Sequence, residues 1–363
     1  MTPTAERDGD LSAQRWARQP GLGALGLLLV LPVAALLATS VDGAESSLLV
    51  FGPLVAFALP VVAMIAFWWD DWPGTTLRAS WSGWADTVLI ATAAVVFTVL
   101  GEAAVGRVDL AGLLDPTPGA GHFSTFPATM PVAGAAFVAM LQLTLVSEGW
   151  PLRQRLGHIG GGLAALATAW VVALLLYVIV VDGRPFTGSG APRGGGLLTT
   201  AELGALLTLI GAWQVGIFLV WRGWPVAQLS RRPRRLVCGN AVVLAGAGVS
   251  YAVIRNWAGA EPAAVSAGAG CFVTAGLLLG MLFEGFIRDR LPATAERAVL
   301  LTLVVACAAA LDVALHAYAD TLTWTRGSAD EWVTHAGLNA VGVSIILHVA
   351  IGRRWPFART DSD

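Results

Sequence analysis

Apolar residues in this chain run on for about 20 positions at a time, separated by short polar stretches. A run of that length crosses the roughly 30 Å hydrocarbon layer of a bilayer as a helix. Ten such runs are placed, at Leu22–Ala38, Leu48–Trp68, Ala85–Val105, Pro131–Val146, Ile159–Val181, Leu203–Trp221, Leu236–Ile254, Ala264–Phe283, Ala298–Tyr318 and Val333–Ile351. Lipid offers backbone amides no partner, and the runs lack the short alternation of a barrel, so all are read as helices. The expected fold is all-α, a polytopic transmembrane helix bundle forming one integral membrane domain over residues 1–363, with short tails at 1–20 and 352–363. The longest connections, Gly106–Met130 and Asp182–Thr200, are rich in Gly and Pro and too short for a separate domain.

The helices are expected to pair as five two-helix hairpins. Trp72-Pro73, Trp150-Pro151, Trp224-Pro225 and Trp355-Pro356 each follow an even-numbered run. With 15 Trp and 18 Pro, chance places about one such pair in the chain, so four at equivalent positions indicate an internal repeat. Leu291-Pro292, after "EGFIRDR", is read as a degenerate fifth copy. Trp suits the headgroup level and Pro stops the preceding helix, which points to an architectural role.

Charge sets the expected orientation. Arg7, Arg15, Arg18, Arg78, Arg153, Arg155, Arg222, Arg231, Arg232, Arg234, Arg235, Arg288, Arg290, Arg297, Arg353, Arg354 and Arg359 fall at alternate boundaries, which are read as cytoplasmic. The opposite boundaries hold Arg107, Arg184, Arg193, Arg255 and Arg326 among Asp and Glu, and are read as outward. Both termini are then cytoplasmic. The first run exceeds the usual apolar core of a cleaved signal and is read as a retained anchor.

Composition excludes several classes. At 56% hydrophobic and 13% charged, the chain has more apolar surface than a soluble core of this size hides. Every basic residue is Arg, so the lysine amine needed for retinal, pyridoxal phosphate or a Walker A loop is missing. All-Arg usage with abundant Ala and Gly suggests a high-GC bacterial genome and hence a plasma, or inner, membrane. Cys238, Cys271 and Cys307 read as small core residues with no disulfide implied. No nucleophile elbow or dinucleotide fingerprint is present, so there is no positive case for an enzyme.

Ionisable groups inside the bilayer cost on the order of 3 kcal/mol and need a reason. Asp312, His316 and Asp320 share one face of the ninth run, and His335 and Asn339 one face of the tenth. Counting about 1.5 Å per residue from the shared loop puts Asp312 level with Asn339, and His316 level with His335, so two polar layers are expected to meet. Glu102 and His122 reach the same level. The expected function is transport of a small solute or ion, or a channel-like role, through an outward-facing polar site of Asp312, His316, His335, Asn339 and Glu102. A metal site from His316, His335, Asp312 and His122 is the alternative, as is haem held by the pairs His316/His335 and His158/His348. The third alternative is a non-catalytic assembly subunit. The bilayer is the expected partner, with anionic lipid or a cytoplasmic partner at Arg231, Arg232, Arg234 and Arg235; nucleic acid is not expected.

Overall fold

The structure, a computed structural model, describes residues 18–106, 108–122, 124–181, 196–287 and 290–357. Arg7, Arg15, Arg107, Asp182, Arg184, Arg193, Arg288 and Arg359 of the orientation argument lie outside the described residues, as do most of both tails. Among the described residues ten apolar helices form: α1 Gly21–Thr39, α2 Ala44–Phe67, α3 Ala79–Ala104, α4 Met130–Val146, α5 Leu152–Val180, α6 Thr200–Val220, α7 Arg232–Ala258, α8 Pro262–Leu282, α9 Ala293–Ala319 and α10 Ala329–Ile351. Nine are long enough to span a bilayer and α4 is shorter. Among the described residues there is no β-strand. Helices α3, α7 and α9 begin several residues before their apolar runs, because helical hydrogen bonding continues into polar first turns that hold residues such as Arg235; α5 also begins early, but its first turn, with Arg153, is set off from the rest by a kink at Gly157.

Odd and even helices occupy different layers. The even helices form a closed ring, α2 against α4, α4 against α6, α6 against α8, α8 against α10, and α10 back against α2. The odd helices lie outside, over the grooves of the ring: α3 on α2 and α10, α5 on α4 and α2, α7 on α6 and α4, and α9 on α8 with further contacts to α10 and α6. Helix α1 packs on α10, and its Gly23 faces Phe283 just past the end of α8. Burial follows the same division, 89% of the α2 span being inside the protein against 17% for α7 and α9. Outer helices approach through glycine; a Cβ on Gly246 of α7 would stand 2.6 Å from the Trp213 ring of α6. The outward faces carry Leu28, Val88, Val171, Leu244 and Val313, whose apolar surface suits lipid.

The five even helices end in the same backbone turn. Two consecutive residues have positive φ, namely Asp70/Asp71, Glu148/Gly149, Arg222/Gly223, Glu284/Gly285 and Arg353/Arg354. The second of each pair donates its N–H to the carbonyl six residues back: Asp71 to Ile65 at 3.0 Å, Gly149 to Leu143 at 2.9 Å, Gly223 to Ile217 at 2.7 Å, Gly285 to Leu279 at 2.7 Å and Arg354 to His348 at 2.8 Å. These bonds take up carbonyls that a helix end otherwise leaves without donors. The turn identifies the fifth repeat as Glu284-Gly285-Phe286-Ile287, and corrects the assignment to Leu291-Pro292. Phe286 takes the tryptophan's place: Phe283 and Phe286 meet edge to face at 6.5 Å, as Trp69 and Trp72 do at 5.3 Å and Trp221 and Trp224 at 5.4 Å.

Ion pairs lock the same end. Arg153 of α5 lies 3.4 Å from Asp70, Arg235 of α7 lies 2.6 Å from Glu148, and Glu296 of α9 lies 3.4 Å from Arg222. Arg354 reaches Glu284 at 2.7 Å and Arg353 reaches Asp71 at 3.2 Å. Glu148 and Glu284 are therefore paired with Arg235 and Arg354. At the opposite end Glu45 gathers the α9–α10 connection, its Oε1 accepting from the backbone N–H groups of Thr325 (2.8 Å), Arg326 (2.6 Å) and Gly327 (2.8 Å).

Candidate functional site

Along the axis of the inner ring lies a cavity of about 610 Å³, lined by all five even helices. Its lining starts at Leu48, Phe126, Thr199, Ala263 and Glu331, near the helix N-termini, and reaches Phe67, Leu145, Leu219, Met281 and Ile346 in or near their last turns. Side chains are short where the ring is widest. Gly204 and Gly211 of α6 both face the cavity, and a Cβ at either would meet nothing within 4 Å.

The cavity is asymmetric in chemistry. Towards the Trp-Pro end its wall is Leu, Val, Phe and Met. Its polar residues gather towards the other end on α6, α8 and especially α10, where Glu331, Thr334, His335 and Asn339 follow one another along the wall. The α10 backbone widens to π geometry over His335–Val341, a local irregularity that recurs at functional sites. His335, 1% exposed, has Nε2 3.1 Å from the Leu37 carbonyl of α1 and no partner at Nδ1. A carbonyl only accepts, so Nε2 carries the proton and Nδ1 of the neutral ring is an acceptor. Asn339 is 5% exposed and its carboxamide makes no hydrogen bond to the described protein.

Three of the hydroxyl groups along the wall have already spent their protons on helix carbonyls. Thr208 donates to Gly204 O at 2.9 Å, Ser266 to Pro262 O at 3.2 Å and Thr334 to Asp330 O at 2.9 Å. Glu331 is an acceptor, held by the Ser328 hydroxyl at 3.1 Å. The polar end therefore presents mostly lone pairs, with the Asn339 amide and, at the mouth, the Thr200 hydroxyl as donors.

Of the residues singled out from the sequence, His335 and Asn339 line this cavity and the others lie elsewhere. His316 is engaged within its own hairpin, Nε2 at 3.0 Å from Asp330 and Nδ1 at 2.9 Å from the Asp312 carbonyl and 3.5 Å from its carboxylate. The expected meeting of His316 with His335 is therefore replaced by His316–Asp330 and His335–Leu37. Asp312 stands beside the Cys271 thiol of α8, in place of Asn339. Glu102, fully buried on α3, accepts from the Thr125 hydroxyl at 2.7 Å and the Asp109 N–H at 2.9 Å and so ties down the α3–α4 connection. His122 pairs with Asp109 at 3.0 Å in that connection.

The haem pairs do not assemble either, because His158 sits at the surface 3.0 Å from Asp70 whereas His348 is buried and packs edge to face on Phe357. Among the described residues no three His, Cys, Asp or Glu side chains are grouped to hold a metal ion. In the arginine run, Arg232 and Arg235 turn onto Glu148, at 3.8 and 2.6 Å, leaving Arg231 and Arg234 exposed. The chain matches no family model, and searches of curated proteins and of solved structures likewise find no match.

Proposed function

We propose that this protein is a membrane-embedded carrier for a small amphipathic molecule, which it takes into the cavity of the five-helix ring. The observation that carries the reading is the cavity itself: about 610 Å³, lined by every inner helix over nearly its whole length, and polar towards one end. That volume falls within the range of roughly 300–1,000 Å³ typical of small-molecule sites. A dehydrated ion finds little support from walls of Leu, Val and Phe, where charge costs several kcal/mol. The site of this carrier is His335 and Asn339 with Thr334 and Glu331, and Asp312, His316 and Glu102 serve helix and loop packing.

Arginine distribution supports a plasma-membrane orientation with the Trp-Pro end in the cytoplasm. That end holds Arg78, Arg153, Arg155, Arg222, Arg231, Arg232, Arg234, Arg235, Arg290, Arg297, Arg353 and Arg354, against Arg255 and Arg326 opposite, among the described residues. Exposed Arg231 and Arg234 suit anionic headgroups.

Organic extraction of the purified protein followed by mass spectrometry tests the reading. A near-stoichiometric amphiphile is expected from the unaltered protein and none from Gly211→Phe, whose ring projects into the cavity from a position where a Cβ meets nothing within 4 Å. Equal amounts from both, at equal folded yield, would contradict it.

A further inference from the structure

The polar end of the cavity carries more information than its size. Resting on the carrier reading above, we infer that the cavity selects a neutral amphiphile whose head donates a hydrogen bond, a hydroxyl, seated between Asn339 and His335 with its tail directed to the Trp-Pro end.

Three observations converge on that class. The wall's polar atoms are mostly acceptors, since the Thr208, Ser266 and Thr334 protons are taken by helix carbonyls and the His335 proton by Leu37. A head that only accepts would leave these lone pairs facing it unpaired. Beside His335, Asn339 can both give and take, which matches a hydroxyl that donates to one partner and accepts from another. The residue is 5% exposed, and its carboxamide, with no protein partner, opens onto the cavity and is available to a ligand there.

The tail cannot supply the selection. An acyl chain leaving the bilayer for a cavity of Leu, Val and Phe exchanges one apolar surface for another and gains little. Discrimination among amphiphiles then rests on the head. A charged head fits poorly: seated at Asn339 it has an amide and a neutral ring for company, no Arg among the described residues lines the wall, and Glu331, eight residues nearer the start of α10, lies about 12 Å away along the helix. A hydroxyl meets both demands with no net charge to bury.

The experiment uses the full chain in nanodiscs and two photoprobes, dodecanol with an aliphatic diazirine in its tail and the corresponding methyl ether. The alcohol is expected to label peptides around Leu141, Leu219 and Met281 at the apolar end, with saturation roughly tenfold stronger than for the ether, the effect of one well-placed hydrogen bond. Asn339→Leu removes no hydrogen bond within the protein and is expected to bring the alcohol down to the ether's level. Gly211→Phe is expected to block both probes. Equal labelling by alcohol and ether in the unaltered protein would overturn the hydroxyl inference while leaving the carrier reading standing. Labelling confined to the outer helices, with no saturable signal on α4, α6 and α8, would overturn both, as expected of a cavity that holds only water.

Discussion

Arg222 meets Glu296 at 3.4 Å, forming the ion pair that Glu148 and Arg235 make at 2.6 Å one repeat earlier with the charges exchanged. In both, the first left-handed residue of the turn after an inner helix grips the first turn of an outer helix two hairpins on. The pairing is kept while its polarity reverses, so what the position requires is attraction between neighbouring repeats. Arg222→Glu alone sets two carboxylates together and is expected to cost about 1 kcal/mol. Adding Glu296→Arg is expected to restore the melting temperature in detergent. Equal melting of all three proteins would remove this role.

Gly246 and Gly248 stand two residues apart on α7 with opposite surroundings. A Cβ on Gly246 would lie 2.6 Å from Trp213, and one on Gly248 would meet nothing within 4 Å. Gly246→Leu is expected to destabilise by about 1–3 kcal/mol, the usual cost of overpacking. Gly248→Leu, facing outward, is expected to be neutral or slightly stabilising through helix propensity. Thermal denaturation of the two variants compares them directly.

Glu102 belongs to the scaffold. Its two carboxylate oxygens hold Thr125 and Asp109 in a buried setting. Glu102→Ala is expected to cost about 3 kcal/mol, from charge-assisted hydrogen bonds lost and buried donors left unpaired, and to speed proteolysis between residues 107 and 129. Ligand content per folded molecule should not change. Selective loss of ligand without loss of stability would return Glu102 to the binding site.

Asp71 supplies a pH test outside the helices. Burial pushes its carboxyl above the ordinary 3.8, with the Asp70 charge adding to the rise and Arg353 opposing it. A folded-state value above the unfolded one means that the folded protein holds the proton more tightly. This contribution is present below the unfolded value and is lost as pH rises through the folded one. Asp71→Asn, which resembles the protonated form, is expected to narrow the gap to the unaltered protein as pH falls towards 4 in denaturation series. A gap that widens on acidification would reverse the sign and refute it.

Run length made the ten helices legible, because a bilayer fixes how long an apolar helix must be. Four of the five repeat ends were legible from Trp-Pro. The fifth was not, since Pro292 matched in residue type while the repeat is defined by a backbone turn that Glu284 and Gly285 make without Trp or Pro. Which helices lie inside was hidden for a physical reason: where lipid replaces water, both faces are apolar and periodicity loses its contrast. Depth counting placed Asp312 and His316 along the helix but not around it. Their neighbours, Cys271 and Asp330, follow from rotation about the axis, which only packing decides.

A cryo-EM map of the full chain in lipid nanodiscs tests the central claim most directly. The account predicts α2, α4, α6, α8 and α10 as a closed inner ring around an elongated non-protein density that ends against Asn339. An inner ring collapsed onto itself, with the α6 face at Gly204 and Gly211 packed against α2 or α10 and no space between, would contradict it.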